Sequence, residues 1–217
     1  TRHHSAKTSV EILDVGCGPG GNMVLLRPFG LVTGLDFSSE ALSFAKQYNF
    51  SRLVEGRAES LPFPDNSFDL ATALDVLEHV APDEQAIREV YRVLKPGGLF
   101  VATVPMYQWL FSQHDRALHH VRRYGRGELA KKMRRGGFVV LEQSHFVMIA
   151  VLMTLLRKTI DRVRGANMES PHVYDKIFPT WLNTLLLSVL RFEKFVIRVV
   201  PLPFGTSLFV VVQKPIP

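Results

Sequence analysis

One stretch near the start of the chain, VEILDVGCGPGG at residues 10–21, restricts the possible folds more than any other. Its first half is apolar and rich in β-branched residues, as in a buried strand, and its second half is dense in glycine, as in a tight turn. A helix is expected from Asn22, so that its amino-terminal amides face the turn. Strand, glycine turn and helix in this order are typical of a nucleotide site at the carboxyl edge of a parallel sheet.

The spacing of the glycines indicates which nucleotide is bound. Gly16, Gly18 and Gly20 read GxGxG, whereas the dinucleotide fingerprint reads GxGxxG. The stretch DVGCGPG resembles the cofactor loop of the class I S-adenosylmethionine-dependent methyltransferases. That resemblance implies that Asp14 contacts the methionine part of the cofactor, directly or through water, and that Cys17 belongs to the cofactor-binding loop. The alternative is a tight turn in some other doubly wound protein.

The end of the second strand, predicted at Leu31–Asp36, supplies the next candidate contact. An acidic residue at this place accepts hydrogen bonds from ribose hydroxyls. Asp36 is therefore predicted to bind the ribose, with Phe37 beside it in the cofactor site. The alternative role for Asp36 is the N-cap of a helix over 39–47, in competition with the serines that follow it.

The next segment resembles the adenine-side segment of small-molecule methyltransferases, including the ubiquinone and menaquinone biosynthesis type. Those proteins usually carry Asp where this chain has Arg57. The resemblance therefore implies adenine-side contacts from Ala58 and Glu59 only. It also places Asp75, just after the fourth strand, at the methionine end of the cofactor.

The remaining elements complete one sheet. EVYRVLKPGGLFVATVP, at residues 89–105, is also typical of this class and predicts a helix over 83–94 followed by a strand over 99–104. The resemblance implies an α/β fold with a doubly wound, Rossmann-like seven-stranded sheet, in which the last strand is antiparallel beside the fifth. The other strands are predicted at 10–15, 31–36, 52–56, 68–74, 138–143 and 207–213.

The segment after the fifth strand is rich in polar residues. We expect this segment to lie close to the methyl donor, because ligands bind beyond the carboxyl ends of the strands. His120 is predicted to be the general base for a hydroxyl acceptor, with Asp115 orienting it or serving in its place. The alternative is a purely structural loop. No metal site is predicted, since no helix face pairs His-x3-His with a carboxylate. The predicted substrate contacts are His79, His114, His119, Arg123 and Tyr124.

The chain is expected to form a single methyltransferase domain over residues 1–217, with a helical insertion at 145–206 before the last strand. The insertion opens with an apolar run at 146–153, continues with basic residues, and ends in a second helix over 181–200. Three roles are open: packing on the sheet or in a homodimer, a lid over an amphiphilic acceptor, or contact with an anionic membrane surface.

The composition indicates the charge of the partner but does not identify it. The net charge of +6 favours an anionic partner. Cys17 is the only cysteine, which excludes a disulfide framework and is compatible with a cytoplasmic location. No signal peptide is visible, and because members of the class usually have a longer amino-terminal helical segment, Thr1 is interpreted as the start of a trimmed chain.

The function predicted from the resemblance is methyl transfer from S-adenosylmethionine to a small or lipid-like acceptor, with the methylated atom open. Nucleic acid is disfavoured because Leu74-Asp75-Val76-Leu77 stands where the amino-methylating enzymes carry Pro-Pro-aromatic. The alternatives are a catalytically silent cofactor-binding module that acts through its insertion, and a nicotinamide-dependent oxidoreductase.

Overall fold

The computed structural model describes residues 9–148, 151, 179–197, 199–200 and 202–217. Its centre is a seven-stranded sheet in the order β3-β2-β1-β4-β5-β7-β6. The strands are β1 (Glu11–Val15), β2 (Leu31–Asp36), β3 (Leu53–Glu55), β4 (Phe68–Leu74), β5 (Leu94–Pro105), β6 (Val139–Phe146) and β7 (Ser207–Gln213). The described helices are α1 (Gly21–Leu26), α2 (Ser39–Ala45), α3 (Asp83–Val93), α4 (Gln113–Ala117), α5 (Glu128–Arg135) and α6 (Thr180–Ile197).

The strand order reverses between β1 and β4. The chain runs outward from β1 to β2 and β3, then returns to place β4 on the other side of β1, and these strands pair in parallel. Ligands of doubly wound folds bind at this reversal, beyond the carboxyl ends of the strands. β7 pairs antiparallel with both β5 and β6, so the predicted fold class is confirmed.

The central strands are apolar because helices cover both faces of the sheet, which is the usual requirement for parallel strands. Residues 12 and 13 of β1 are fully buried, as are Phe100 and Ala102 of β5. Helix α3 turns Ile87, Val90 and Val93 onto the sheet, at the spacing of three that one helix face provides. This core fixes the strand ends that carry the site.

Some predicted bounds differ from the observed ones. β5 begins at Leu94 and not at residue 99, because Leu94 pairs with Phe68 and the Gly97 N–H donates to the carbonyl of Lys214. The Pro-Gly-Gly sequence therefore lies within an irregular strand, where its neighbours supply the hydrogen bonds. β6 continues to Phe146 because β7 offers it a partner as far as Ser207.

The insertion is described only in part. Helix α6 confirms the predicted second helix, whereas half of the apolar run at 146–153 and all of 154–178 lie outside the described residues. Among the residues that are described, no helix has both the length and the apolarity needed to cross a membrane. The division of the chain into one domain with an insertion stays a prediction.

Candidate active site

The glycine turn is tied to the neighbouring strand and packed against the segment after β4. The N–H groups of Gly16 and Cys17 donate to the carbonyl of Leu35 over 2.7 and 3.0 Å. Gly16 has φ +67°, and a Cβ there would lie 2.5 Å from a methyl carbon of Val76. Gly18 has φ +52°, and a Cβ there would meet nothing within 4 Å. The turn is therefore closed toward Val76 and open above Gly18.

Asp14 lies beneath this turn with one carboxylate oxygen unused. The side chain is 1% exposed, and its Oδ1 accepts a hydrogen bond of 2.6 Å from the hydroxyl of Thr72. Its Oδ2 is buried and has no partner. Burial raises the pKa of Asp14 to about 6, against the opposing effect of the Thr72 hydrogen bond. A cationic group placed at Oδ2 would complete the site.

Asp36 holds the turn from the end of β2. Its Oδ2 accepts from the Gly18 N–H over 2.8 Å, and its Oδ1 accepts from the Ser38 N–H over 2.9 Å. The N-cap of α2 is Ser38, whose hydroxyl accepts from the Ala41 N–H. Each carboxylate oxygen of Asp36 has a second lone pair for another donor. Phe37 follows with 73% of its surface exposed, which leaves a flat apolar face beside the turn.

The predicted adenine-side residues lie after β3. Ala58 is buried, and Glu59 Oε1 accepts from the guanidinium of Arg57 over 2.8 Å. Arg57 points outward, since 71% of its side chain is exposed.

Cys17, in the glycine turn, is buried, and this burial raises the pKa of its thiol to about 12. The thiol therefore stays protonated near neutral pH and is a poor nucleophile.

Asp75 is held at the carboxyl end of β4 by Thr103 of β5. The Asp75 N–H donates to Thr103 Oγ1 over 2.9 Å, and the same hydroxyl donates to Asp75 Oδ1 over 3.0 Å. Asp75 has φ +54°, a left-handed conformation that is uncommon outside glycine and that Asp tolerates better than most residues. The paired hydrogen bonds keep its carboxylate at the same sheet edge as Asp14.

The loop after β5 contains an ordered acid–imidazole pair. Asp115 is fully buried, and its Oδ1 lies 3.0 Å from His120 Nδ1. Arg123 donates to both oxygens of this carboxylate, over 2.8 and 3.1 Å, and Ser112 donates its N–H and its hydroxyl to Oδ2. Burial alone would raise the pKa of Asp115, but these hydrogen bonds hold it below its usual range. Asp115 therefore stays ionised and fixes the imidazole of His120.

The loops after β4 and β5 meet at a short 3-10 helix, Leu77–His79. The N–H of Val121 donates to the carbonyl of Glu78, and the rings of His79 and His120 meet edge to face with centroids 4.7 Å apart. Glu78 has no exposed surface, and this burial raises its pKa to about 8. Partial desolvation of its ring and the adjacent His120 lower the pKa of His79, although much of its surface is exposed. The 3-10 helix therefore places two titratable groups, Glu78 and His79, next to the imidazole of His120.

Two of the predicted substrate contacts have structural roles instead. Tyr124 is fully buried and donates its hydroxyl to Asp83 over 2.7 Å, while Lys132 donates to the same carboxylate oxygen over 2.6 Å. The guanidinium of Arg123 forms an ion pair with the carboxylate of Asp115. Both side chains are engaged because the buried carboxylates of Asp83 and Asp115 require their hydrogen bonds. His114 and His119 are exposed at the surface of the loop, and the carbonyl of His119 lies 3.3 Å from His79 Nδ1.

An apolar cavity of about 340 Å³ opens beside the site. It lies between α6 and the ends of β5, β6 and β7, and Thr103, Phe146, Leu190 and Phe209 are among its lining residues. Thr103 is the residue that holds Asp75, so the cavity adjoins the predicted methionine end of the cofactor site. The sequence reasoning missed both threonine partners, Thr72 and Thr103.

The residues at the sheet edge fit S-adenosylmethionine. The unused Oδ2 of Asp14 suits an ammonium, and the spare lone pairs of Asp36 suit ribose hydroxyls. The space beside Gly18 is open, so a ligand can approach the backbone there. The exposed ring of Phe37 can stack on a base. These are observations on the protein alone, and they agree with the cofactor that the sequence predicts.

Comparisons with known proteins agree with this assignment of the fold. Residues 13–102 match the family model described as a methyltransferase domain. A demethylmenaquinone methyltransferase from Listeria welshimeri is 42% identical over 98 residues, which cover 41% of this chain and 42% of that protein. One from Staphylococcus epidermidis is 40% identical over 116 residues, 47% of this chain and 48% of that protein. This chain thus spans less than half the length of these curated relatives.

Among solved structures, an S-adenosylmethionine-dependent methyltransferase from Mesorhizobium loti superposes with a TM-score of 0.64 and 19% identity, over 94% of this chain and 91% of that one. At that identity the likeness shows the fold. The family match ends at residue 102, before the loop with Asp115 and His120, so the acceptor side of the site lies outside it.

Proposed function

We propose that this chain, which carries a methyltransferase domain of the class I, S-adenosylmethionine-dependent kind, transfers a methyl group to a small amphiphilic acceptor with an ionisable hydroxyl. The observation that carries the proposal is the placement of the Asp115–His120 pair. Its imidazole lies beside the 3-10 helix that follows Asp75, so a polar catalytic group adjoins the predicted methionine end of the cofactor.

The cofactor supplies an electrophilic methyl group on a sulfonium. Asp36 would hold the ribose hydroxyls, and Phe37, Ala58 and Glu59 would line the adenine site. Gly16, Cys17, Gly18 and Gly20 form the turn that carries the backbone close to the ligand. Asp14 and Asp75 would hold the amino-acid part, Asp14 through the oxygen that has no protein partner.

In this proposal His120 is the general base that removes the proton from the acceptor hydroxyl. Asp115 accepts only, so it holds the hydrogen of the imidazole at Nδ1 and leaves Nε2 with a free lone pair. Nε2 can then accept a hydroxyl proton, which makes the oxygen, or a ring carbon conjugated with it, a better nucleophile. Asp115 is a positioning residue in this scheme, because its own oxygens are all engaged.

The apolar cavity supports an acceptor with a hydrophobic part. It adjoins the proposed methionine end of the cofactor site through Thr103, which holds Asp75, and helix α6 of the insertion forms one of its walls. We therefore propose that the insertion at 145–206 acts as a lid over that part. A quinol is the first acceptor to test, since curated relatives of the cofactor-binding half are demethylmenaquinone methyltransferases.

The test has two stages. Calorimetry should show binding of S-adenosylmethionine and of its demethylated product but not of NAD; binding of NAD alone would overturn the proposal in favour of an oxidoreductase. Mass spectrometry should then detect a methylated product from a reduced naphthoquinone that lacks the ring methyl. A protein that binds the cofactor yet methylates neither quinols nor other phenols would instead support the silent binding module.

A further inference from the structure

Three side chains with metal-binding atoms converge where the loops after β4 and β5 meet: Glu78, His79 and His120. One ligand atom from each lies within 4.8 Å of the other two. Glu78 Oε1 is 4.0 Å from His120 Nε2. We propose that these three residues, the Glu78–His79–His120 cluster, bind a divalent first-row transition-metal cation.

The strongest argument is the state of Glu78. Its side chain is 0% exposed, and neither of its carboxylate oxygens has a hydrogen-bond partner. Buried polar groups nearly always have a partner, and a buried carboxylate without one is costly. A cation next to Glu78 would supply the missing partner and the missing positive charge together.

Both imidazoles are held in the tautomer that a metal requires. His120 Nδ1 lies 3.0 Å from Asp115 Oδ1, and His79 Nδ1 lies 3.3 Å from the carbonyl of His119. Both of those oxygens can only accept, so each ring carries its hydrogen on Nδ1 and presents the lone pair of Nε2. Metal-binding histidines typically donate their second nitrogen to a carboxylate or a backbone carbonyl in this way.

The donor set and the space indicate the class of cation. Two imidazoles and one carboxylate suit zinc, iron or manganese better than magnesium, which prefers oxygen ligands and keeps its water. Bonds of about 2.1 Å to a tetrahedral ion place ligand atoms roughly 3.4 Å apart. The ligand atoms must therefore approach one another, from up to 4.8 Å in the cluster as a whole and from 4.0 Å between Glu78 and His120. Rotation of the exposed His79 brings its nitrogen closer, and a small shift of the Glu78 or His120 side chain closes the remaining distance. Three protein ligands leave at least one position open.

The open position gives the cation a role at the acceptor site. An acceptor oxygen bound there would lose its hydroxyl proton to water more readily, because the cation stabilises the anion. His120 would then act as a ligand, and proton removal by its Nε2 would belong to the metal-free protein. This role in catalysis rests on the proposed function, whereas binding of the cation does not.

The test is a calorimetric titration of chelator-treated protein with Zn²⁺ and with Mn²⁺. We expect one equivalent to bind per chain, with at least tenfold loss of affinity in Glu78→Gln and in His79→Ala. The matched control is His119→Asn, which removes a neighbouring exposed histidine and keeps a residue suited to φ +60°. Its affinity should equal that of the wild type. Equal affinities in wild type and Glu78→Gln, or no binding at all, would overturn the proposal.

Two further measurements keep the outcome clear if a variant folds poorly. The absorption spectrum of the wild-type protein with Co²⁺ should show the ligand-field bands of a low-symmetry site with nitrogen and oxygen donors; the spectrum of hexa-aqua Co²⁺ would count against the site. Binding of the demethylated cofactor is measured in parallel. Its loss with metal binding intact would reject the proposed function, and the reverse result would reject the metal site alone.

Discussion

Thr72 donates its hydroxyl hydrogen to one carboxylate oxygen of Asp14 over 2.6 Å and leaves the other oxygen buried without a partner. The two residues pair directly across β1 and β4, so the sheet register brings the Thr72 hydroxyl to the Asp14 carboxylate. If Asp14 binds the cofactor as proposed, the affinity depends on the protonation of this one carboxyl.

We predict that affinity for S-adenosylmethionine falls as the pH drops below about 6. Burial raises the pKa of Asp14 to about 6, so the carboxyl becomes neutral there and loses its attraction for the cofactor's ammonium. Asp14→Asn should bind weakly at every pH, without this trend. Calorimetric titrations at pH 5, 6 and 7.5 provide the measurement, and a wild-type affinity that is flat over this range would contradict the assignment of Asp14.

The same shift gives the opposite trend in stability. Because the folded-state pKa of Asp14 lies above its usual value of 3.8, the stabilising contribution is complete below about pH 4 and is lost as the pH rises through about 6. The slope is ~1.4 kcal/mol in the free energy of unfolding per pH unit between those limits. Asp14→Asn should remove it. Thr72→Val should extend it to higher pH, since the Thr72 hydrogen bond lowers this pKa.

Asp36→Ala should reduce cofactor affinity at least tenfold. The substitution removes the proposed ribose ligand and also the acceptor that holds the Gly18 N–H in the turn. The matched control is Glu55→Ala, which removes an exposed carboxylate at the paired position of the neighbouring strand. Calorimetry with the demethylated cofactor compares the two. Equal losses in both variants would show that general charge, and not the Asp36 contact, sets the affinity.

Gly16→Ala should destabilise the protein by roughly 1–3 kcal/mol and weaken cofactor binding. The new Cβ would lie 2.5 Å from a methyl carbon of Val76, and the backbone stands at φ +67°. Gly21→Ala is the control, because its Cβ meets nothing within 4 Å and Gly21 has no positive φ. That helical position should gain stability slightly. Thermal unfolding of both variants gives the comparison, and a Gly16→Ala protein as stable as the wild type would disprove the contact.

His120→Ala should lower kcat by 10²–10⁴ with little change in cofactor affinity, the usual range for loss of a general acid or base. Asp115→Asn should lower kcat less and also disturb the loop, since the amide cannot accept all the hydrogen bonds that Arg123 and Ser112 donate. Arg116→Ala, an exposed neighbour on α4, is the control and should keep full activity. Undiminished turnover in His120→Ala would remove this residue from the mechanism.

The sequence predicted the strands and the glycine turn well because their determinants are local. The glycine turn and the apolar runs specify strand, turn and helix from neighbouring residues alone. Thr72 and Thr103 could not be assigned in the same way, because their roles come from pairing across strands, at Asp14 and at Asp75. A register model of β1 against β4 would have placed Thr72 opposite Asp14.

The acceptor side was harder to predict for a related reason. Some residues of a polar cluster are buried and hydrogen-bond to other buried groups, whereas others are exposed. Their spacing in the sequence does not show which residues are which. Tyr124 donates to Asp83 and Arg123 donates to Asp115, because these buried carboxylates need hydrogen-bond donors. Glu78 showed no special pattern, and its buried, unpartnered carboxylate emerges only from the packing of two loops.

Helix α6 leads to the last prediction, binding to anionic membranes. Trp181, Phe192 and Phe195 expose 68%, 68% and 64% of their surface. Exposed aromatic side chains favour the membrane interface, and the net charge of +6 favours anionic lipid. The protein should therefore co-sediment with vesicles that contain phosphatidylserine, less so at high salt, and much less after the three residues are changed to serine.

The control for this prediction changes Leu25 and Phe29, which are 70% and 69% exposed near the opposite edge of the sheet, to serine. If hydrophobic exposure in general drove sedimentation, both sets of changes would reduce it equally, and α6 would have no special role. If the α6 variant alone loses binding and still binds the cofactor, the helix is the membrane contact. An apolar acceptor could then enter the adjoining cavity, which α6 lines, directly from the bilayer.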